Sequence, residues 1–397
     1  MERRTVSVYE VGAEGYARRR RAYAPEDADA FAATVAEGAL RLDLGCGPGH
    51  YTPLLGRPVV ALDAASAMLH AVPDRAPNAL RVRADLEALP LRRAALGGAW
   101  ASKCYQHLPP ERLPLALADL HRSLEVGAPV ALTVFAGSGS FTTGDDDPFA
   151  GRYFALWDGD HLGELLAGAG FEDAVVQTDA VSEGGHLRPL RGTARRARTL
   201  PDTVGPGMRL LVCGLNPSIF AADAGVGYAR PGNRFWPAAL AAGIVEHDRD
   251  PWRALAVSGV GMTDLVKRAS VGADELSEDE FRAGLARVER LCAWLRPRVV
   301  CLVGLGGWRA AVDRRAVAGP QARTVGGVAT YVMPSTSGRN ARTSVDELAS
   351  HLAAAAALAD AGPHGPGRER TAPPGGGAPF GTEERGRQGR SGGLLGA

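Results

Sequence analysis

Residues 210–218, LLVCGLNPS, join an apolar run to a polar loop that contains Asn216. Residues 328–339, VATYVMPSTSGR, repeat this order of an apolar run followed by a polar loop. Short apolar runs rich in β-branched residues are typical of buried strands. In α/β sheets, sites usually form in the loops that follow such strands. Both stretches therefore predict an α/β sheet with a functional site at one edge.

The pattern around these two stretches extends the prediction over residues 200–361. Strands are predicted at residues 209–213, 299–303 and 328–333, and helices at residues 236–242, 277–295, 307–312 and 345–358. Ser277 followed by Glu280 predicts a capping box at the start of the longest of these helices. The alternation of strands and helices predicts a mostly parallel sheet flanked by helices.

The first part of the chain, residues 1–183, shows a second alternation of the same kind. Strands are predicted at residues 39–44, 59–62, 80–82, 129–135 and 172–176, and helices at residues 66–71 and 113–124. A chain of 397 residues is also longer than one typical domain core. We therefore expect an α/β protein of two domains, each with a mostly parallel sheet flanked by helices.

Two segments lack this periodicity. Residues 184–199 contain five arginines and little apolar sequence, which predicts an exposed basic linker, either a solvated tether or a contact to phosphate groups. Gly, Pro, Arg and Glu dominate residues 362–397 without periodicity, which predicts a disordered tail. No internal repeat relates the two halves of the chain.

Composition and cysteine spacing argue against several classes of protein. The net charge of +1 argues against a uniformly basic nucleic-acid coat, although Arg and Lys can still cluster on one face. The five cysteines have no C-x-x-C spacing, which predicts buried free thiols rather than a zinc or redox site. The sequence has no signal-peptide pattern and no run of ~20 apolar residues, so we expect a cytoplasmic protein.

Residues 43–49, DLGCGPG, follow a predicted strand and form a glycine-rich turn. Gly45 and Gly47 allow the backbone to approach a ligand closely. A dinucleotide fingerprint needs a further glycine where His50 stands, so a pyrophosphate site is not expected. An acidic residue, Asp43, at the entrance of such a turn suits a cationic ligand without phosphate, and S-adenosylmethionine fits that description.

Two further acidic residues follow later predicted strands. Asp63 ends the second strand and can accept hydrogen bonds from ribose hydroxyls, and Asp85 follows the third and can bind an adenine amino group. Each is also common as a cap or turn residue. On these motifs, residues 8–180 resemble the class I S-adenosylmethionine-dependent methyltransferases. The resemblance implies a Rossmann-like fold and a cofactor pocket lined by Asp43, Gly45, Gly47, Asp63, Asp85 and Leu86.

The sequence leaves the methyl acceptor open. Tyr9, Tyr16 and Tyr23 look like the opening of methyltransferases that act on small molecules. Residues 101–107, ASKCYQH, depart from the Asp/Asn-Pro-Pro-Tyr loop of DNA amino-methyltransferases, so methylation of a base is not expected. His107 in this stretch is either a general base or a structural histidine.

The loops of the second half carry side chains suited to a nucleobase extruded from DNA. The amide of Asn216 can orient a water molecule without adding charge, although an asparagine also commonly ends a strand before proline. Tyr228 can stack on a flipped ring, and Asn233 stands just before a predicted helix. Lys267 and Arg342 are candidates for phosphate contacts, although such residues are also common as solvated surface charges. The second loop offers further phosphate-binding and wedge residues, namely Ser335, Thr336, Ser337, Gly338 and Arg339.

Residues 199–360 resemble the mismatch-specific uracil- and thymine-DNA glycosylases of the uracil-DNA glycosylase superfamily. The motifs that carry the resemblance are residues 214–218 (GLNPS), 228–236 (YARPGNRFW), 261–266 (GMTDLV) and 333–341 (MPSTSGRNA). The resemblance implies that Asn216 positions the attacking water, Tyr228 stacks on the base and Arg339 intercalates. It also implies that Ala221 lines the pyrimidine pocket, where a small side chain leaves room for a 5-methyl group.

We therefore expect a monomeric protein in which a methyltransferase domain (residues 1–183) is fused to a DNA glycosylase domain (residues 200–361). The expected substrates are an unknown methyl acceptor and double-stranded DNA with G·U or G·T mispairs, which would place the protein at the nucleoid. S-adenosylmethionine is the expected cofactor of the first domain, and neither a cofactor nor a metal is expected for the second. Two alternatives stay open. The first half is an idle S-adenosylmethionine-binding module that regulates the glycosylase, or the second half binds mismatched DNA without cutting it.

Overall fold

The computed structural model describes residues 2–180, 187–340 and 342–361. It contains two β-sheets flanked by helices, which confirms the predicted two-sheet α/β architecture. The predicted tail (residues 362–397) and residues 184–186 of the predicted linker lie outside the described residues. All five cysteines are buried free thiols, as predicted. In the described ranges, no helix is long and apolar enough to cross a membrane.

The helices and strands follow the chain in two groups. The helices are α1 (Arg3–Arg19), α2 (Pro25–Thr34), α3 (Ser66–His70), α4 (Leu113–Ser123), α5 (Gly159–Gly168), α6 (Ile219–Ala224), α7 (Phe235–Ala241), α8 (Pro251–Ser258), α9 (Glu278–Leu295), α10 (Leu305–Ala311) and α11 (Val345–Ala361). The strands of the first sheet are β1 (Arg41–Leu44), β2 (Val59–Asp63), β3 (Leu80–Arg83), β4 (Gly98–Ser102), β5 (Pro129–Ala136), β6 (Ser140–Thr142), β7 (Tyr153–Trp157), β8 (Phe171–Thr178) and β9 (Pro189–Arg196). The strands of the second sheet are β10 (Leu210–Gly214), β11 (Val260–Asp264), β12 (Val299–Val303), β13 (Gly319–Val325) and β14 (Val328–Met333). Every strand and helix predicted from the sequence is present, with its ends shifted by a few residues at most.

The central strands of the first sheet are parallel, in the order β3-β2-β1-β4-β5. Every residue of β1 and β2 is buried, which is typical of strands covered by helices on both faces. Beyond β5, β9 runs antiparallel to it, and β8 runs antiparallel to β9. Because β1, β2 and β3 are parallel, the loops that follow them meet at one edge of the sheet and bring the predicted cofactor residues together.

The segment predicted to be an exposed linker is instead part of this sheet. Residues 189–196 form β9, which pairs with β5 along most of its length. Leu190, Gly192, Ala194 and Arg196 are buried, and the residues between them are more exposed. The linker prediction was wrong because small side chains and an arginine occupy most of the inward positions. The alternation of the strand therefore carried little apolar signal.

The second sheet has the order β11-β10-β12-β14-β13, with the first four strands parallel and β13 antiparallel. The strand order reverses between β10 and β12, and such a reversal opens a crevice at the carboxyl ends of the strands. Apolar side chains of α7 and α11 cover one face, and those of α9 and α10 cover the other. The predicted capping box is present, since the Ser277 hydroxyl accepts a hydrogen bond from the Glu280 amide at 3.2 Å.

Asp202, at the start of the second domain, forms a buried ionic contact. Asp202 is 3% exposed, and its amide donates a hydrogen bond to the Gly168 carbonyl of the first domain at 2.8 Å. Its carboxylate accepts hydrogen bonds from Lys267 at 2.8 Å, Arg287 at 2.6 Å and Thr263 at 2.7 Å. Burial opposes ionisation, but the two cations hold the pKa of Asp202 below its ordinary value. The ammonium of Lys267, a candidate phosphate contact, pairs with Asp202 in this structure.

Candidate functional site

A cavity of about 680 Å³ lies at the carboxyl ends of β10, β11 and β14. Most of the residues predicted for this site line it, namely Asn216, Ala221, Tyr228, Asn233, Ser335, Thr336, Ser337 and Arg339. Gly338 is not part of the lining, and a Cβ added to it would lie 3.0 Å from the Gly232 carbonyl oxygen. The fold therefore brings side chains from both predicted loops into one cavity.

The amide of Asn216 is held in a fixed orientation. Its Nδ2 donates hydrogen bonds to Ser270 Oγ at 2.8 Å, to the Arg268 carbonyl at 3.0 Å and to the Pro217 carbonyl at 3.2 Å. No hydrogen bond from the described part of the chain reaches its carbonyl oxygen, Oδ1. This oxygen is therefore the atom of Asn216 that can accept a hydrogen bond from water or a ligand.

Tyr228 lies with one ring face against Phe235, with the ring centroids 4.2 Å apart and the planes at 21°. Its backbone φ is 59°, a left-handed conformation that is uncommon for residues other than glycine. Its hydroxyl is buried without a hydrogen-bond partner among the described residues, and this burial raises its pKa. Because Phe235 covers one face of the ring, a base can stack only on the opposite face.

Asp264 is a further candidate catalytic residue, for which no role was expected from the sequence. It ends β11 opposite Gly214 in the parallel register, on the strand next to the one that leads to Asn216. A Cβ added to Gly214 would lie 2.2 Å from Asp264 Oδ1 and 3.0 Å from the Tyr228 hydroxyl. Both oxygens therefore lie next to this glycine. Burial raises the pKa of Asp264 to about 6. The available signal in the sequence was the acidic residue within the motif GMTDLV (residues 261–266).

Arg234 holds the second loop in shape. Its guanidinium donates hydrogen bonds to the carbonyl oxygens of Ser337, Asn340 and Thr343. Its backbone amide donates to the Thr336 carbonyl at 2.9 Å. One planar cation with several donors can bind carbonyls from different parts of a loop. The sequence does not reveal this role of Arg234, because the backbone carbonyls that it binds leave no signal in the sequence.

Two serine hydroxyls of the second loop accept hydrogen bonds from backbone amides of the same loop. Ser335 Oγ accepts a hydrogen bond from the Ser337 amide, and Ser337 Oγ accepts one from the Arg339 amide, both at 3.3 Å. Thr336 is 1% exposed, so this conformation does not offer its hydroxyl for the predicted phosphate contact. The Arg339 side chain is 68% exposed, and its Nη1 lies 3.9 Å from Asp274 Oδ1. An exposed arginine beside a cavity suits the predicted wedge.

Ala221 and Asn233 lie at the starts of the two helices beside the cavity. Ala221 is 3% exposed in the first turn of α6, and its amide donates a hydrogen bond to Ser218 Oγ at 3.1 Å. Asn233 precedes α7, and its Oδ1 accepts a hydrogen bond from the Phe235 amide at 3.0 Å. The Ser218 side chain thus caps α6, whereas the Asn233 contact closes the turn just before α7. This contact leaves the Nδ2 donor of Asn233 for a ligand.

Two buried carboxylates mark the predicted cofactor site of the first domain. Asp43 accepts a hydrogen bond from Thr52 Oγ1 at 2.6 Å, and burial raises its pKa to about 7. Asp63 accepts hydrogen bonds from the amides of Gly47 at 2.9 Å and Ala65 at 2.8 Å, and burial raises its pKa as well. A buried carboxylate with a raised pKa favours a cationic partner.

The glycine turn leaves room beside these carboxylates. Gly45 and Gly47 adopt left-handed φ values of 65° and 53°. A Cβ on Gly45 would lie 2.3 Å from Cys104 Cβ, whereas nothing lies within 4 Å of a Cβ on Gly47. Asp85 accepts a backbone hydrogen bond at 3.2 Å just after β3, and Leu86 is 1% exposed. Open space next to buried carboxylates fits a cationic nucleoside such as S-adenosylmethionine.

Helix α1 packs against α3 beside this site through a cluster that includes Tyr9, Tyr16 and Met68. The Tyr9 hydroxyl forms a hydrogen bond with His107 Nε2 at 2.9 Å, and His107 Nδ1 forms one with the Tyr153 carbonyl at 2.6 Å. Burial lowers the pKa of His107 to about 4. Because both ring nitrogens are engaged, the structure favours the structural role for His107 over the general base.

Comparison with known proteins finds a family model that matches part of each half. Residues 201–359 match the family model of the uracil DNA glycosylase superfamily, and residues 42–127 match that of a methyltransferase domain. Among solved structures, a SAM-dependent methyltransferase from Methanosarcina mazei is 16% identical, covering 45% of this chain and 99% of that chain with a TM-score of 0.39. The 1,6-didemethyltoxoflavin-N1-methyltransferase of Burkholderia thailandensis is 24% identical, covering 48% of this chain and 85% of that chain with a TM-score of 0.40. The two family models thus indicate a methyltransferase domain within the first half of the chain and a domain of the uracil DNA glycosylase superfamily in the second.

Proposed function

We propose that the second domain is a monofunctional DNA glycosylase that removes uracil, and more slowly thymine, from G·U and G·T mispairs. The observation that most supports this proposal is that Asn216, Tyr228 and Arg339 line one cavity. A group that positions water, a surface for stacking and a wedge are what extrusion and hydrolysis of a base require.

The proposed reaction replaces the bond between C1′ and the pyrimidine N1 by a bond between C1′ and a water oxygen. The electron pair of the breaking bond leaves with the base, and positive charge develops on the sugar. Asn216 Oδ1 accepts a hydrogen bond from the water and aims it at C1′. The water proton passes to the Asp264 carboxylate and then to solvent. The departing base anion takes up one proton from solvent, so the products are the free pyrimidine and an abasic site.

Recognition of the base rests on three side chains of the cavity. Tyr228 offers one ring face for stacking, and Asn233 Nδ2 offers a donor for a carbonyl oxygen of the base. The methyl side chain of Ala221 leaves space for the 5-methyl group of thymine. A mispaired base also costs less free energy to extrude than a paired one, which contributes to selectivity.

A glycosylase assay on labelled duplexes tests this function. We expect alkali-labile breaks to form fastest in a G·U duplex, more slowly in a G·T duplex and slowest in an A·U duplex. Single-stranded uracil should be a poor substrate, because Arg339 then has no base stack to enter. A G·U duplex that stays uncut while the protein binds it would instead support a mismatch-binding module.

The role of Asp264 predicts a pH dependence. Because its pKa is raised to about 6, the carboxylate that accepts the proton is lost as the pH falls through 6. The single-turnover excision rate should therefore fall by up to about tenfold per pH unit below 6. Asp264→Asn should lower the rate at neutral pH and flatten this profile.

Asp279→Asn is the matched control for Asp264, since the Asp279 side chain is 92% exposed on α9. This variant should keep both the rate and the pH profile of the wild type. An unchanged pH profile in Asp264→Asn would remove Asp264 from the mechanism.

We propose further that the first domain binds S-adenosylmethionine, which when bound supplies an electrophilic methyl group. The buried carboxylates of Asp43 and Asp63 beside the open space at Gly47 support this proposal. Asp43 would face the cationic part of the cofactor, and Asp63 its ribose. A screen of small-molecule acceptors decides between an active methyltransferase and an idle binding module. Binding without turnover would favour the module.

The raised pKa of Asp43 predicts that cofactor binding releases a proton. A cation stabilises the carboxylate form, so a group with a pKa of about 7 loses its proton when the cofactor binds. Affinity should rise by about tenfold from pH 6 to pH 8. Calorimetry in buffers of different ionisation enthalpy measures the released proton. Asp43→Asn should abolish both effects, and a pH-independent affinity in the wild type would contradict the assignment.

A further inference from the structure

One wall of the glycosylase cavity belongs to the methyltransferase domain. Arg93, His121, Arg122 and Arg196 line the cavity from the first half of the chain. The remainder of the lining, including Asn216, comes from residues 199–340. The cavity thus combines side chains from both domains, and three of the four from the first domain are arginines.

Arg196 is the unusual member of this wall. It is 4% exposed at the end of β9, and its Nε is buried without a hydrogen-bond partner among the described residues. No ion pair to Arg196 occurs in the ranges that the structure describes. Burial, together with the neighbouring charge of Arg93, lowers the pKa of its guanidinium to about 10. A buried charge of this kind costs free energy unless an anion pairs with it.

Arg93 brings a second positive charge to the same wall. Its Nη2 donates a hydrogen bond to the Ala222 carbonyl near the end of α6, at 2.8 Å. This close approach requires Gly225, because a Cβ added there would lie 1.4 Å from Arg93 Nη1. One contact to a carbonyl leaves most of the donors of the guanidinium for another acceptor.

The other arginines near this wall have acidic partners. Arg122 pairs with Asp119 at 2.6 Å. Arg198 binds both oxygens of Asp223, at 2.7 and 2.5 Å. Asp223 is also the acidic group whose charge reaches Arg93 and Arg196. Among the described residues, Asp223 is thus the one carboxylate that acts on Arg93, Arg196 and Arg198. The wall therefore keeps a net positive charge.

We propose that Arg93 and Arg196 bind a phosphate of the DNA strand that carries the extruded nucleotide. The inference rests on the proposed glycosylase function, because the same cavity holds Asn216 and Ala221. A cavity of about 680 Å³ has the size of sites for whole drug-sized ligands, so it can take a nucleotide with its phosphate. The planar donors of arginine match a phosphate. The methyltransferase domain would then form part of the DNA-binding surface, which gives the fusion a physical reason.

Arg93→Gln, Arg196→Gln and the double variant test this inference. The probe is a duplex with an uncleavable 2′-fluoroarabino-uridine opposite guanine, titrated between about 50 and 200 mM salt. Each single variant should bind roughly tenfold more weakly and lower the salt slope by about one. The double variant should lower the slope by about two. Arg195→Gln is the matched control, since this neighbour on β9 is exposed and donates to the Gly127 carbonyl. It should bind as the wild type does.

Excision, cofactor binding and thermal shift with inorganic phosphate are measured in parallel. Unchanged salt slopes in variants of a wild type that excises uracil would overturn the inference and leave the glycosylase intact. Phosphate stabilisation lost in Arg196→Gln, with unchanged DNA binding, would also overturn it, since the anion is then a free phosphate. A wild type that binds through these arginines but never excises would refute the glycosylase alone. If Arg196→Gln loses cofactor binding and does not fold, the salt slope of Arg93→Gln decides whether the inference holds.

Discussion

Replacing Asn216 with alanine should lower the single-turnover rate of uracil excision from a G·U duplex by about 100-fold or more. The variant removes the only group of the cavity that we assign to aiming the water at C1′, and small misplacements of reacting atoms cost about this much. Ser270, the Arg268 carbonyl and the Pro217 carbonyl hold the amide of Asn216 in place. The side chain is therefore preorganised for this role. DNA affinity should change little, since other residues, Arg93 and Arg196, make the proposed phosphate contacts.

Asn78→Ala serves as the matched control, because Asn78 is exposed in the first domain. It should excise uracil at the wild-type rate. Equal rates in Asn216→Ala and the wild type would show that another group positions the water, and Asp264 would then be the first to examine.

Replacing Asp202 with asparagine should destabilise the second domain by about 3–5 kcal/mol, the usual cost of breaking a buried ion pair. The variant leaves Lys267 and Arg287 close together, with side chains only 15% and 13% exposed. Because these cations lower the pKa of Asp202, its contribution is present near neutral pH. It is lost as the pH falls through the lowered pKa. Urea unfolding followed by tryptophan fluorescence measures the change.

Asp360→Asn is the control for this stability prediction. Asp360 pairs with Arg209 at 2.5 Å, but the two side chains are 46% and 32% exposed. A partly exposed pair of this kind contributes about 1 kcal/mol or less. A loss in Asp202→Asn no larger than in Asp360→Asn would contradict the role assigned to the buried contact.

Most of the fold was predictable because its central strands are short apolar runs buried on both faces. The positions predicted for β12 and β14 match the structure residue for residue. The segment of β9 was not predictable by the same rule, since Gly192 and Arg196 stand where an inward apolar side chain is normally found. Strand pairing with β5, a contact distant in sequence, decides its structure.

The meeting of the two polar loops was predictable, because the carboxyl ends of parallel strands lie at the same edge of a sheet. The contributions of other residues depend on packing that no local pattern reveals. The pKa of Asp264 depends on burial, and the role of Arg234 depends on the carbonyls of a distant loop. The wall that contains Arg196 depends on how the two domains pack.

The most direct test is a crystal structure of the Asn216→Ala variant with a duplex that carries 2′-fluoroarabino-uridine opposite guanine. We expect a uracil ring inside the cavity, stacked on the free face of Tyr228, with Arg339 in the gap that the nucleotide has left. A uracil still stacked in the duplex, or DNA bound to a surface away from the cavity, would contradict it.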